Sequence, residues 1–215
     1  MDLNRSSIIN SLEIELRKPL PGIDFQKKMA PESRIRNLVP ETGELKKSAV
    51  LLLLYYRDNV IHIVFIKRAE NDSVHSGQIS FPGGKFDDGD KDLIHTSLRE
   101  THEEIGVNTN DVLILGSLSV LLIPVSNYLV YPTVGYCINE PHFLINEDEV
   151  AGIIEIPLTH FIKAENATMG TVEVRGNQFE VPLFKTDEIQ IWGATAMIMS
   201  EFVEVLRKVY ERIEN

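Results

Sequence analysis

Cysteine is nearly absent from this chain: Cys137 is the one thiol in 215 residues. An intrachain disulfide is therefore excluded, and so is a small scaffold held together by such links. Long apolar runs are also missing. Ala49 to Tyr56 is strand-length, far short of the roughly 20 residues a membrane-spanning helix needs. The N-terminus lacks the apolar core of a secretory leader, so a reducing cytoplasm is the expected compartment. Positive charge is scarce: 21 Lys and Arg stand against 32 Asp and Glu, a formal net charge of −11. No basic stripe is visible, which disfavours nucleic acid as a partner. A polyanionic ligand would be repelled at long range, so binding one needs a metal ion or local cations. No internal repeat or low-complexity tract appears.

With 43% hydrophobic composition, the chain can bury an ordinary core. The expected organisation is one domain over 1–215, with an N-terminal helix and arm over 1–45 and the core of the fold over 46–215. Leu3 to Arg17 shows helical spacing through Ile8, Leu12 and Leu16, then breaks at Pro19-Leu20-Pro21-Gly22. Gln26 to Lys47 reads as a polar, irregular arm. Ala49–Tyr56 and Ile61–Ile66 read as strands joined in a hairpin at Arg57-Asp58-Asn59. β-rich runs follow at Val112–Leu122 and Tyr128–Cys137, and a short strand near Ile153–Ile156. Gly170–Val174 and Gln178–Phe184 flank a second hairpin turn. Ala194–Ile213 is helical by pattern, with Phe202, Leu206 and Val209 as its core stripe. Cys137 falls in an apolar run, as a core residue does. Strands and helices mingle without regular βα alternation, which predicts an α+β type of α/β fold with a mixed sheet covered by helices.

The most informative segment is Arg99-Glu100-Thr101-His102-Glu103-Glu104-Ile105-Gly106-Val107, downstream of Phe81-Pro82-Gly83-Gly84. Its periodicity predicts a helix whose core stripe is Ile94, Leu98, Thr101 and Ile105. Glu100 and Glu104, at i and i+4, lie about 40° apart on the wheel, and Glu103 about 60° from Glu100. Like charges so spaced destabilise an isolated helix by roughly 0.2–0.5 kcal/mol per pair. A divalent cation reverses that sign, since hard oxygen donors suit Mg²⁺ or Mn²⁺. The alternative is a solvated acidic face. Gly83 and Gly84 are expected to form a turn that lets main chain approach a ligand or helix closely. Asp87, Asp88 and Asp90 are placed to cap the helix, and Asp90 reads as a cap rather than a metal ligand. Arg99 can pair with Glu100 or Glu103 and hold it, while Gly106 fits the helix C-terminus. His102 falls on the exposed face.

These residues resemble the signature of the Nudix hydrolases: Gly, five residues, Glu, seven residues, then Arg-Glu, an apolar residue, any residue, Glu-Glu, any residue, Gly and an apolar residue. Gly84, Arg99, Glu100, Glu103, Glu104, Gly106 and Val107 match. Thr101 takes an apolar slot, Asp90 stands where the first Glu is expected, and eight residues rather than seven separate it from Arg99. The resemblance implies an α/β/α Nudix sandwich and a Mg²⁺- or Mn²⁺-dependent hydrolase of a nucleoside diphosphate derivative. The implied metal ligands are Glu100, Glu104 and Glu103, oriented by Arg99. Lys67, Arg68 and Lys85 are the nearest cations to the loop and, with Gly83 and Gly84, the candidate phosphate-binding set. The base that takes a proton from water is either a helix carboxylate or one from Glu147-Asp148-Glu149, which could equally be a surface turn.

Upstream, Arg68, Ala69, Gly77 and Phe81-Pro82-Gly83-Gly84 are similar, at the right spacing, to the extra signature of the coenzyme A pyrophosphatase branch. Ile66 replaces its Thr, and Ser73 occupies its second Arg slot. The second departure removes a guanidinium suited to a 3′-phosphate or diphosphate. Glu149-Val150 before Pro157-Leu158, and Ile191-Trp192-Gly193-Ala194-Thr195-Ala196, also look like this branch. His75 could meet a phosphate or pack in its loop. Trp192, Asn127 and Tyr128 are weaker ligand candidates. Three functions stay open: hydrolysis of coenzyme A or acyl-CoA to 3′,5′-ADP and a 4′-phosphopantetheine; hydrolysis of ADP-ribose, a dinucleotide or a nucleoside triphosphate; or a binding module without catalysis. The oligomeric state is undetermined, a homodimer included.

Overall fold

The computed structural model describes residues 5–32, 44–69, 77–174, 176–186 and 189–214. Ser73 and His75 lie outside the described residues. The chain opens with α1 (Arg5–Leu16) and a single turn, α2 (Ile23–Gln26), which ends where the segment expected to be irregular begins. The strands β1 (Lys46–Arg57) and β2 (Val60–Arg68) follow. Asp58 and Asn59 link them with φ values of 51° and 63°, the two left-handed positions of a tight hairpin turn. Next come β3 (Ile79–Ser80), β4 (Gly83–Lys85), α3 (Leu93–Ile105), β5 (Val112–Ser117), β6 (Leu121–Ile123) and β7 (Tyr128–Cys137). The chain ends with β8 (Val150–Pro157), α4 (Leu158–Ile162), β9 (Ala167–Val174), β10 (Asn177–Lys185), β11 (Gln190–Trp192) and α5 (Gly193–Glu214).

The main sheet runs β3-β2-β1-β7-β5, with β4 also on β1, β6 on β7 and β8 on β2. β1 and β7 are parallel, and the other pairings are antiparallel, so the sheet is mixed as expected. The apolar run in β1 is buried on both faces, and alternate residues serve different layers. Leu52 and Leu54, with Ile63 and Phe65 of β2, join a core closed by Leu12 of α1 and by Phe202, Leu206 and Val209 of α5. Leu51, Leu53 and Tyr55, with Val64 and Ile66, pack on the opposite face with Ile105, Val107, Cys137 and Val150. The result is three layers: α1 and α5, the sheet, then α3. A second, three-stranded sheet, β11-β10-β9, packs against α5 and, through β11, against β3, with Trp192 packed against Val172, Val181 and Leu183.

Three local expectations are corrected. Gly83 and Gly84 form no turn; they are a strand wedged onto the first half of β1, with Ala49 opposite Gly84 and Val50 opposite Gly83. The helix stripe is rotated: Ile94 is exposed, and Ser97, Thr101, Glu104 and Ile105 are buried, with Leu98 only partly so. A glutamate thus sits on the core-facing side of α3. Asp90 does not cap the helix; Asp92 does, its carboxylate accepting from the His95 amide at 2.8 Å.

Candidate active site

Helix α3 is set by its two ends. Asp92 caps the start, and Gly106 closes the finish with φ 72°, its amide donating to the His102 carbonyl. Only a residue tolerant of the left-handed region ends a helix this way without strain. Glycine serves a second purpose at β4, which runs against the inward face of α3. Gly83 has φ 146°, and a side chain there would collide with the Ala49 carbonyl. A side chain on Gly84 would run into the Glu100 carboxylate. The glycine pair therefore lets main chain lie directly against two helix glutamates.

Glu104 is the most enclosed of them, its side chain 1% exposed. The Gly83 amide donates to its Oε2 at 2.8 Å. Its Oε1 lies 3.7 Å from Arg68 Nη1. Burial pushes its carboxyl up to about 7, assisted by the negative charges of Glu100 and Glu149 and opposed by the Gly83 amide and Arg68. Glu100 is partly buried and shifts the same way, again chiefly by burial, with Arg99 opposing and Glu103 and Glu149 adding to the rise. The shared influence of Glu149 ties the 147–149 loop to the helix site. That loop is held by main chain: the Leu144 amide donates to the Ile105 carbonyl, Asn146 to Glu104, and Ala69 to Glu149. Asn146 Nδ2 also reaches Glu149 Oε1 at 3.5 Å.

Arg99 is the organising cation. Its Nε and Nη2 donate to Asp90 Oδ1 and Oδ2 at 2.8 and 2.9 Å, a two-pronged pairing that only a guanidinium makes. Nη2 also reaches the Lys85 carbonyl at 3.1 Å. Nη1 lies 2.9 Å from Glu100 Oε1 and 3.0 Å from Glu103 Oε2. Asp90, its side chain 1% exposed, further accepts from Thr96 Oγ1 at 2.8 Å and from the Asp87 amide at 3.0 Å. With these donors, Arg99 first among them, the Asp90 carboxyl lies far below the usual carboxylate range, and Arg99 is raised in turn.

The geometry thus gathers Glu100, Glu104, Gly83, Gly84, Arg99 and Arg68, with the Lys85 carbonyl beneath and Glu149 alongside. Glu103 sits at the rim, its side chain 51% exposed. Lys67, the Lys85 side chain and Glu147 are exposed. Sequence reasoning missed the Asp90–Arg99 lock, although its signal was the acidic residue in the first Glu slot. The eight residues between Asp90 and Arg99 run through the Asp92 cap and into α3, and across them Arg99 still reaches Asp90. A cavity of about 410 Å³ is lined by His95, Leu98, Arg99, His102 and the 108–110 turn; neither Glu100 nor Glu104 lines it.

Among the described residues, no three His, Cys, Asp or Glu side chains converge as a ready-made metal cage. The donor chemistry nevertheless fits Mg²⁺ or Mn²⁺. Two carboxylates whose charge is disfavoured by burial and by neighbouring carboxylates gain from a divalent cation. Mg²⁺ in particular is commonly held by one or two carboxylates plus water and substrate phosphates rather than by an all-protein cage.

The family model of the NUDIX domain matches residues 45–166. The chain is 32% identical over 204 residues to "Nudix hydrolase 15, mitochondrial" of Arabidopsis thaliana, covering 91% of this chain and 68% of that protein. It is 33% identical over 156 residues to "Uncharacterized Nudix hydrolase NudL" of Enterobacter sp. (strain 638), covering 73% of this chain and 80% of that one. Among solved structures, the Nudix hydrolase RenU from M. smegmatis superposes with a TM-score of 0.52 at 12% identity, covering 86% of this chain and 94% of that one. The likeness supports the α/β/α fold. Among the described residues no helix is long and apolar enough to cross a membrane.

Proposed function

The chain belongs to the Nudix hydrolase family, and from that premise we propose that it hydrolyses the diphosphate of coenzyme A or its thioesters, releasing 3′,5′-ADP and a 4′-phosphopantetheine product. The observation that carries the hydrolytic chemistry is the Glu100–Glu104 pair held against Gly83 and Gly84. The substrate class rests on Arg68, Ala69, Gly77 and Phe81-Pro82-Gly83-Gly84 at their signature spacing.

Glu100 and Glu104 would hold the cation, with Glu103 at the rim. When bound, a divalent cation offsets charge on phosphoryl oxygens and acidifies water. The protein supplies orientation. The Gly83 amide fixes one oxygen of Glu104, and Arg99, itself fixed by Asp90, steers Glu100 and Glu103. Water forms a bond to one phosphorus as the bond from that phosphorus to the bridging oxygen breaks. Glu149, exposed and acting on both helix glutamates, is the carboxylate we assign to take the water's proton. Arg68 faces the diphosphate, with Lys67 and Lys85 as outer cations. The lone buried thiol, Cys137, is compatible with the cytoplasm, where we place the protein.

A second reading, ADP-ribose or another nucleoside diphosphate derivative, is favoured by Ser73, which cannot neutralise a phosphate as the signature arginine would. Product analysis with Mg²⁺ or Mn²⁺ separates the two. Release of 3′,5′-ADP at a higher kcat/KM for coenzyme A than for dephospho-coenzyme A and ADP-ribose supports the first. Preference for ADP-ribose moves the assignment to the second.

A further inference from the structure

Arg68 is held differently from Arg99, and the difference has a functional consequence. It ends β2 at an irregularity in the β2–β8 ladder: Lys67 pairs with Gly152 but Arg68 pairs with Val150, leaving Ala151 unmatched. A bulge of this kind re-aims the neighbouring side chain. Main chain pins the position on both sides, with the Arg68 amide on the Gln78 carbonyl at 3.0 Å and the Ala69 amide on the Glu149 carbonyl at 2.9 Å. The backbone is fixed, yet the side chain is 34% exposed. Its Nη1 stands 3.7 Å from Glu104 Oε1, beyond the roughly 2.7–2.9 Å of a charge-assisted hydrogen bond. Every Arg99 contact to Asp90, Glu100, Glu103 and Lys85 falls between 2.8 and 3.1 Å. Among the described residues, Arg99 is locked, whereas Arg68 offers charge without a lock.

The oxygen it faces is the one that matters. Gly83 occupies Oε2 of Glu104, and Oε1 is turned to Arg68. A divalent cation bound at Oε1 would meet a guanidinium at close range, and the two repel. We propose that Arg68 is a positioning residue that exchanges partners: it is the counter-ion of Glu104 in the cation-free protein, and it turns to the substrate's diphosphate once a cation takes Oε1. Cation and diphosphate binding are then coupled, each raising affinity for the other. Arg68 holds cation affinity down until a diphosphate draws it away. The idea rests on the metal-dependent diphosphatase reading above and adds a direction to it.

The test is calorimetric titration of Mn²⁺ into the parent, Arg68→Met, Arg68→Lys and Glu104→Gln proteins, with and without methylenediphosphonate, a diphosphate that is not hydrolysed. Arg68→Met should bind Mn²⁺ alone about two- to fivefold more tightly, the range expected on removing a partly exposed ion pair and its repulsion of the cation. Methylenediphosphonate should tighten Mn²⁺ binding in the parent and lose most of that effect in Arg68→Met. Arg68→Lys, which keeps the charge, should bind Mn²⁺ near the parental affinity. A merely structural arginine would not move the two ligands in opposite directions. Equal or weaker Mn²⁺ binding by Arg68→Met, with the Glu104-dependent site intact, overturns the exchange alone. A parent that shows no Mn²⁺ site lost in Glu104→Gln overturns the exchange together with the function it rests on.

Discussion

Replacing Asp90 by Asn removes the charge that holds Arg99 while keeping shape. The pair is asymmetric: the Asp90 side chain is 1% exposed and the Arg99 side chain 25%. Removing one partner of a buried pair costs about 3–5 kcal/mol when the other charge is stranded. Here Arg99 still reaches solvent, Glu100 and Glu103, so about 2–3 kcal/mol is the expected loss, near the net value of hydrogen bonds to charged groups. In a chain of this length each kcal/mol moves Tm by roughly 2–4 °C, so the variant should melt about 4–12 °C below the parent at pH 7. Turnover should fall as well, because an unanchored Arg99 no longer aims Glu100.

The pH dependence makes the test sharper. The Asp90 carboxyl is depressed in the folded protein, chiefly by Arg99, relative to about 3.9 in an unfolded chain. Its stabilisation is complete above the unfolded value. It is lost as pH falls below about 4, at up to about 1.4 kcal/mol per pH unit, until the folded group also protonates. Calorimetric melting of both proteins should therefore show the gap at pH 7 shrinking by about 1 kcal/mol by pH 3. A variant within 2 °C (roughly 1 kcal/mol or less) of the parent at pH 7, or a gap unchanged at pH 3, would refute the lock.

Three further outcomes are expected. Gly84→Ala places a methyl group on the Glu100 carboxylate; metal-dependent kcat should fall at least about tenfold, since a misplacement near 1 Å can cost up to about a hundredfold, while circular dichroism stays native. Glu104→Gln should lower kcat by about a hundredfold or more if it is a ligand. In EDTA its Tm should match or exceed the parent's, because the burial of a charge, and its repulsion by Glu100 and Glu149, are gone; a rate within tenfold (about 1.4 kcal/mol) of the parent sinks the ligand role. Glu201, buried in α5, accepts from the Gly22 amide at 3.1 Å, the Ser119 amide at 3.2 Å and Gln26 Nε2 at 2.8 Å. Glu201→Ala strands those donors and should cost about 3 kcal/mol or more in denaturant unfolding, with kcat per folded molecule unchanged; an equal loss of kcat would tie this distant staple to the site.

What the sequence made legible was whatever depends on local spacing. The β1–β2 hairpin was readable from Arg57-Asp58-Asn59, and the structure puts two left-handed residues there. The stripe Phe202, Leu206 and Val209 was readable because one helix face meets one core. The placing of Glu100, Glu103 and Glu104 on one side of a helix was readable from their spacing, and the structure buries Glu104 while leaving Glu103 at the rim. What failed depended on contacts across the chain. Ile94 fits the apolar period of α3, yet the helix turns Glu104 inward instead, because β4 offers a Gly83 amide to receive it. Periodicity ranks residues by apolarity and cannot register that a carboxylate will be met by a backbone donor. Asp90 was misread for the same reason. Preceding a helix it looks like a cap, and only the fold reveals that Arg99, nine residues later, outcompetes the free amides that Asp92 satisfies. Gly83 and Gly84 likewise read as a turn, since glycine pairs usually punctuate. Here they are strand residues whose missing side chains leave room for β1 on one side and Glu100 on the other. Each misreading falls where a polar group is buried by design against a distant partner. These are also the positions from which Glu100 and Glu104 draw their geometry, so the failures of local reasoning mark out the site as closely as its successes do.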